Sequence, residues 1–466
     1  MSDALALCAF KLVVLGMALL CVLGLWRAVA SVGLQLPLDP NEGWNAYHAA
    51  AAMAGAPLYP GPQSFMITNY PPLSFYLVGA LGRVLGDNIF AGRIVSLLSF
   101  FFVLFGIFAA ALRLGCKRLE ACFAVLLFAG GLLVFTDYVG IDDPQMLAHA
   151  IAMAGLLLLL EEPRGMVRLA GAALLFVLAV FVKHNVIAMA VAATAWLAVY
   201  DRRSALRLAA LGVALALCGL VLFRVVYGTG LLAQLISARL YSLDNLRHGF
   251  GGWLHWGLVP LVGLTVLVCL RGGDRHVRLV AFYAVIAMIL GVGFLGGAGV
   301  DMNAMFDADI ALALGSALLL GRIARGAYAP AAAVAYAVPL LFAVWTNPDW
   351  RDTDGWLHPM QEDAALAHND IAFLAARPGA ALCEMQSFCY WARKPPAVDV
   401  FNVGQQFDTG TRSDAPLVAL IEGQRFGAIQ FDPDSPYSLG KNVQGAIARA
   451  YHLDHQDDYG SFYIPR

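Results

Sequence analysis

Long apolar runs separated by short polar loops dominate the first three quarters of the chain. Each run has roughly 17 to 25 residues, enough for a helix to cross a hydrocarbon core of about 30 Å. In lipid, such a backbone can satisfy its polar groups only by forming helices. The pattern predicts eleven membrane spans, at residues 12–32, 90–112, 119–136, 145–160, 166–182, 185–200, 205–227, 254–270, 278–295, 306–322 and 328–345.

The pattern changes after residue 346, where apolar runs shorten and Pro, Asp, Gln and His become frequent. We therefore predict a transmembrane domain at residues 1–346 and a small α/β domain at residues 347–466. Within the second domain, the patterns predict helices at 371–376 and 417–422, strands at 380–385 and 428–431, and an edge strand at 461–464.

Composition supports a membrane protein over a soluble or nucleic-acid-binding one. Hydrophobic residues make up 60% of the chain and charged residues 13%, whereas soluble domains are roughly half apolar and a quarter charged. The formal net charge is −2, and the chain has no basic stripe that could neutralise a row of phosphates.

The distribution of Lys and Arg predicts the orientation. Alternate short loops carry basic groups, such as Arg113, Lys117 and Arg118, whereas residues 28–82 contain neither Lys nor Arg. By the positive-inside tendency, the N-terminus faces the cytoplasm, and the first outer loop, at 33–89, and the C-terminal domain lie outside. Within that loop, residues 72–86 are predicted to form an interfacial helix. The expected location is the cytoplasmic (inner) membrane.

The first outer loop contains two acids, Asp39 and Glu42, close to aromatic residues. One interpretation is structural, because Asp39, Pro40 and Glu42 have the spacing of a helix start. The other is catalytic, because a partly desolvated carboxylate at the membrane surface can act as a general base. The sequence leaves both open.

Further polar groups lie in the other outer loops. Asp142 and Asp143 precede Pro144, so that they either open a helix or form a second acidic site. Three basic residues could bind a phosphate, pair with these acids, or extend to the interface. The remaining candidates in these loops are Lys183, His184, Arg239, Arg247 and Asn303.

Two chemical questions stay open at this point. The outer oxygen ligands suit a hard divalent cation, yet no spacing defines a calcium loop, so metal binding and any cofactor remain undetermined. Cys383 and Cys389 could form a small disulfide loop in an oxidising compartment, or remain free thiols.

Several motifs resemble the superfamily C glycosyltransferases, which include protein O-mannosyltransferases and lipid A aminoarabinose transferases, and most closely their uncharacterised bacterial relatives. Asn41, Glu42, Gly43 and Trp44 match the acidic motif of the first outer loop, with Asn in its first position. Other matching segments are Tyr70–Leu73, Gly92–Arg93, Asp142–Pro144 and the stretch around Asn303.

The resemblance implies inverting transfer of a hexosyl or pentosyl group from a polyprenyl-phosphate sugar to an acceptor hydroxyl on an envelope glycan, lipid or protein. It implies Glu42 or Asp39 as the base and Asp142 or Asp143 as an assisting acid. The residues expected at the substrate are Tyr70, Lys183, His184, Arg239, Arg247 and Asn303.

Two other functions remain. A transporter or flippase would use the outer acids as ligands. This function predicts charges near the middle of several spans, and apart from terminal residues and Arg224 the predicted spans lack them. A non-enzymatic envelope scaffold would tolerate neutralisation of Glu42, Asp39 and Asp143 together.

Overall fold

A computed structural model describes residues 3–133, 137–322, 328–346, 360–431 and 439–466. Its first part is helical throughout. The helices are α1 (Asp3–Ser31), α2 (Pro40–Ala54), α3 (Leu73–Leu85), α4 (Asn88–Arg113), α5 (Arg118–Leu132), α6 (Asp137–Gly140), α7 (Gln145–Leu160), α8 (Met166–Val182), α9 (Ala188–Tyr200), α10 (Arg202–Tyr227), α11 (Gly230–Leu235), α12 (Leu243–Arg271), α13 (Arg275–Leu295), a 3₁₀ helix (Met302–Met305), α14 (Phe306–Arg322) and α15 (Tyr328–Thr346).

Among the described residues, six helical segments are long and apolar enough to cross a membrane. They are α1, α4, α10, α12, α13 and the segment formed by the 3₁₀ helix with α14. Helices α3, α7, α8, α9 and residues 328–342 of α15 are apolar but shorter. The helical, multi-pass character of the chain agrees with the sequence, whereas the number of eleven spans remains a prediction.

Helix α14 lies at the centre of the bundle. In the segment Met302–Arg322, 89% of the apolar stretch is buried, whereas none of the apolar stretch of α10 is buried. Phe100, Phe123 and Phe306 are among the fully buried side chains that fill the interior. The central position of α14 brings the start of this segment, including Asn303, to the end of the bundle where the cleft described below lies.

The C-terminal part combines helices with one sheet. Its elements are α16 (Gln361–Ala376), β1 (Ala380–Cys383), α17 (Gln386–Trp391), α18 (Val400–Asp408), α19 (Ala415–Glu422), β2 (Phe426–Phe431), α20 (Lys441–Ala450), β3 (Tyr451–Asp457) and β4 (Gly460–Pro465). The strand order is β1-β2-β4-β3. Strand β1 pairs in parallel with β2, and the other two pairings are antiparallel.

The sheet corrects one prediction. The strand expected at residues 461–464 forms as β4, but it lies between β2 and β3 and is not an edge strand. The edge strands are β1 and β3, and the sequence analysis did not identify β3 as a strand. Its burial pattern is mostly exposed and its sequence rich in His, Asp and Gln, so it lacks the apolar alternation by which strands are recognised.

Helix α2 joins the two parts of the protein. The carboxylate of Asp39 caps it by accepting a hydrogen bond from the Asn41 amide at 2.7 Å, with Pro40 as the first helical residue. Gly43 lies directly against the backbone of Gln386 and Ser387. A side chain at position 43 would collide with that backbone, so this close approach requires glycine.

Candidate active site

A cleft lies where α2, the loops at one end of the bundle and the C-terminal part meet. Residues from both parts of the chain line it. They are Pro40, Asn41, Trp44, Asn69, Tyr70, Tyr138, Asp143, Arg239, Gly299, Asn303, Glu384, Gln386, Asp399, Val400, Phe401 and Asn402. Six of the predicted motif or site residues are therefore in one place: Asn41, Trp44, Tyr70, Asp143, Arg239 and Asn303.

Glu42 is fully buried and does not line this cleft. Its two carboxylate oxygens accept hydrogen bonds from Arg93 at 2.6 and 2.7 Å, and from the backbone amides of Leu38 and Asp142 at 3.0 and 3.2 Å. Arg93 is equally buried, and its remaining N–H groups donate to backbone carbonyls of the segment after α1. The pair thus ties α2, α4 and the end of α1 together.

Asn41 takes the cleft position that the motif comparison assigns to an acid. It is exposed and lines the cleft, whereas Glu42 points to Arg93 on the opposite side of the helix start. The substitution of Asn for Asp in this motif therefore leaves a neutral amide where the resemblance would put a carboxylate. Any proton acceptor in the cleft has to come from another element.

Asp142 is buried between α2 and α4. Its carboxylate packs against Gly92, where a Cβ atom would collide with it, and its Oδ2 makes no hydrogen bond with the described residues. Burial raises the pKa of Asp142 well above its usual range, and the nearby charges of Glu42 and Asp143 raise it further. The uncharged form of Asp142 is therefore favoured.

Asp143 faces the cleft and pairs with Lys183. The Lys183 Nζ lies 2.8 and 2.9 Å from the two Asp143 oxygens, and both side chains are at most 5% exposed. Lys183 also lies over the ring of Tyr70, 4.8 Å from its centroid. Burial alone would lower the pKa of Lys183, but Asp143 and Tyr70 raise it above its ordinary value, so the charged form of Lys183 is favoured.

The other predicted basic residues differ in position. Arg239 lines the cleft, donates to the Ala298 carbonyl at 3.3 Å and lies over the Phe401 ring. Arg247 does not line the cleft. It is on the first turns of α12 rather than in a loop, its side chain is 75% exposed, and it pairs with Asp244 at 3.7 Å. His184 is exposed next to Lys183, also outside the set of cleft-lining residues.

The sequence analysis missed the contribution of the C-terminal part. Asp399 caps α18, is buried, and accepts hydrogen bonds from Trp44 at 2.9 Å and from Asn402 at 2.7 and 3.0 Å. Burial raises the pKa of Asp399 to about 6. The only local signal was an Asp before a short helix, which indicates a cap and not a site.

A disulfide holds another missed segment. Cys383 and Cys389 are joined, which resolves the alternative that the sequence left open. The loop between them contains Glu384 and Gln386, which line the cleft, and its backbone lies on Gly43. The cross-link therefore fixes one wall of the cleft against α2.

An apolar groove of about 1140 Å³ runs along α8, α9 and α10. Phe181 and Ile187 are among its lining residues, and in sequence they flank Lys183 at the junction of α8 and α9. The remaining lining is almost entirely Ala, Val, Leu and Phe. A long hydrocarbon chain lying in this groove would thus reach the segment that carries the Lys183–Asp143 pair.

The chain combines a multi-pass helical bundle, a cleft at one end of that bundle and a C-terminal sheet. The family model described as dolichyl-phosphate-mannose-protein mannosyltransferase matches residues 69–227. No curated protein sequence matches the chain significantly.

Two solved structures share the fold. The apo structure of ArnT from Cupriavidus metallidurans has a TM-score of 0.64 at 12% identity, covering 96% of this chain and 97% of that one. The structure of the same protein bound to undecaprenyl phosphate has a TM-score of 0.62 at 13% identity, covering 95% and 97%. The resemblance to superfamily C glycosyltransferases is thereby confirmed, and the chain has the fold of that superfamily.

Proposed function

We propose that the protein transfers a hexosyl or pentosyl group, with inversion, from a polyprenyl-phosphate donor to an acceptor hydroxyl at the outer face of the membrane. The observation that carries this proposal is the cleft that Asp143 and Arg239 both line, with Lys183 buried directly against Asp143. A carboxylate and two cations are the groups that such a transfer needs.

We assign the role of proton acceptor to Asp143 and not to Glu42. All of the hydrogen bonds that hold the Glu42 carboxylate come from Arg93 and two backbone amides inside the protein. Asp142 and Asp39 do not line the cleft either. Of the four acids that the resemblance implies, Asp143 is the one that lines the cleft, where an acceptor hydroxyl can approach it.

The reaction follows from this arrangement. The acceptor oxygen attacks the anomeric carbon from the side opposite the phosphate, and its proton passes to Asp143. The bond between the anomeric carbon and the phosphate oxygen breaks, and both bonding electrons leave with the polyprenyl phosphate. Arg239, with the field of Lys183 behind Tyr70, stabilises the negative charge on the leaving phosphate.

The apolar groove along α8, α9 and α10 supports a lipid donor. Its lining is hydrocarbon, and the sequence that follows Phe181 leads directly to Lys183. We propose that the polyprenyl chain lies in this groove, which the hydrophobic effect stabilises by about 0.8 kcal/mol per buried methylene. The phosphate would then reach the cleft from the membrane side.

The test is release of polyprenyl phosphate from radiolabelled lipid-linked sugars by the purified protein, with wild type, Asp143→Asn and Arg239→Gln. We expect each variant to reduce turnover by on the order of 10²-fold, as is typical when a charge-stabilising or proton-accepting group is removed. Inversion is measured separately, from the anomeric configuration of the product by NMR.

Arg247→Gln is the matched control, because Arg247 has the same charge and lies in the same region but its side chain is exposed and outside the cleft. Its turnover should equal that of wild type. If no donor in a broad panel turns over, or if Arg239→Gln and Arg247→Gln behave alike, the assignment of the cleft as the active site is wrong.

A further inference from the structure

Three metal-ligating side chains meet in the C-terminal part, and none of them lines the cleft. Helix α16 contributes Asp370, and the edge strand β3 contributes His455 and Asp457. One ligand atom from each residue lies within 4.8 Å of the others. Imidazole and carboxylate groups together are the ligands that zinc and related divalent ions bind in proteins.

Asp370 has an oxygen without a partner. The residue is only 2% exposed, and its Oδ2 accepts no hydrogen bond from any residue within the described ranges. A buried carboxylate oxygen without a donor carries the full cost of its lost hydration. A bound cation would remove that cost, because it would occupy the position that a hydrogen-bond donor would otherwise fill.

The orientation of His455 points to the same conclusion. Its Nδ1 lies 3.0 Å from the Asp454 carboxylate, so that this nitrogen carries the proton and donates it. Its Nε2 points to the Asp370 carboxylate, so a ring without a proton on Nε2 would present that lone pair to an ion bound there. A carboxylate that holds the far nitrogen of a histidine is the usual support of a metal-ligating imidazole.

The distance between these two ligand atoms fits a shared ion. The His455 Nε2 lies 3.3 Å from Asp370 Oδ1, which is longer than an ordinary N–H···O hydrogen bond of about 2.9–3.0 Å. Two ligands about 2.0–2.1 Å from a tetrahedral ion are about 3.4 Å apart. The imidazole is also held in place, stacked on Phe462 with ring centroids 4.5 Å apart.

We infer that Asp370, His455 and Asp457 bind one divalent transition-metal ion, with Zn²⁺ as the best chemical match and water in the fourth position. Asp457 is partly exposed at the end of β3, where it accepts a hydrogen bond from the Tyr459 amide, and its carboxylate moves toward the other two when the ion binds. The ion would link α16 to the β3–β4 hairpin. This inference does not depend on the proposed transferase activity.

The test uses the purified full-length protein in detergent, stripped of metal with a chelator and then desalted. Co²⁺ serves as a spectroscopic probe, and Zn²⁺ is then added in competition. We expect one equivalent of Co²⁺ to give visible ligand-field bands that Zn²⁺ removes. Asp370→Asn and His455→Gln should weaken binding at least tenfold, and the ion should raise the melting temperature of wild type but not that of these two variants.

His452→Gln and Asp458→Asn are matched controls, because both residues are exposed, belong to the same hairpin and fall outside the cluster. They should bind the metal as wild type does. Melting temperatures without metal show whether each variant is folded, and Asp457→Asn replaces any variant that is not. Absence of saturable binding by wild type, or equal binding by wild type and the ligand variants, would overturn the inference.

Discussion

The Glu42–Arg93 pair offers a direct way to separate a structural acid from a catalytic one. Glu42→Gln keeps the shape of the side chain but removes its charge, and it turns one acceptor oxygen into an NH₂ donor. In the wild-type protein, both Glu42 oxygens accept hydrogen bonds from N–H groups. The new NH₂ would therefore face donors whichever way the amide is turned.

The expected cost is large because the pair is almost completely buried, with side-chain exposures of 1% for Arg93 and 0% for Glu42. Removing one partner of a buried ion pair leaves an uncompensated charge and costs about 3–5 kcal/mol. Arg93→Met should cost a similar amount, since three backbone carbonyls also lose their donor. The double variant should cost less than the sum, by up to about 3 kcal/mol.

The assay compares unfolding in mixed micelles with turnover of the lipid-linked sugar, for both single variants and the double variant. We expect stability and turnover to fall together in the single variants. The double variant should lose less stability than the sum of the losses in the two single variants. A Glu42→Gln protein that is as stable as wild type but inactive would refute this reasoning and restore Glu42 as the base. Wild-type stability and activity together would also contradict it.

Three further predictions follow from the contacts of α2 and the C-terminal part. Gly43→Ala should lower the free energy of unfolding by about 1–3 kcal/mol and loosen the C-terminal part, because the new methyl group collides with the backbone at Gln386. Limited proteolysis measures the loosening, and a cleavage pattern equal to that of wild type would contradict it. Replacing Cys383 and Cys389 by Ser should lower the free energy of unfolding by about 2 kcal/mol in the loop-entropy model, and should lower turnover. Equal melting temperatures of the wild-type protein with and without reductant would contradict this prediction. Since burial raises the pKa of Asp399 to about 6, the folded state binds this proton more tightly than the unfolded chain. Its contribution to stability is then fully present below about pH 4 and is lost as the pH rises through about 6. Asp399→Asn should remove this dependence, of order 3 kcal/mol, from unfolding curves measured across that range, and an unchanged pH dependence would contradict the shift.

The residues that sequence analysis identified correctly were those with a local physical reason. Asp39 caps α2 as its spacing with Pro40 predicts, and the helix predicted at 72–86 forms as Leu73–Leu85. Helix α7 coincides with the predicted span at 145–160.

The sequence analysis placed Arg247 in a loop because the predicted span begins at residue 254. In the structure, α12 begins earlier, at Leu243, and its first turns consist of residues that lie outside the apolar run.

The cleft contains residues that no local pattern could have brought together. Asp399 lies 355 residues after Trp44, to which it is hydrogen-bonded, and sequence spacing carries no signal for such a pairing. Glu42 is the reverse case: it resembles a site acid by motif and composition, but its side chain points into the protein toward Arg93, and its catalytic role stays a prediction. Which side of α2 faces the cleft depends on where Arg93 and the C-terminal part pack against that helix.

The sequence alone determined that the chain is a helical membrane protein with a polar C-terminal part, because apolar length and helix periodicity act within single segments. It also determined the acids and bases available for chemistry. The tertiary structure decided which of them meet: it buried Glu42 against Arg93, brought Asp143 and Arg239 to one cleft, and added Asp399 from the far end of the chain. Burial and pairing set the charge state of an acid, and both arise only when distant segments pack together.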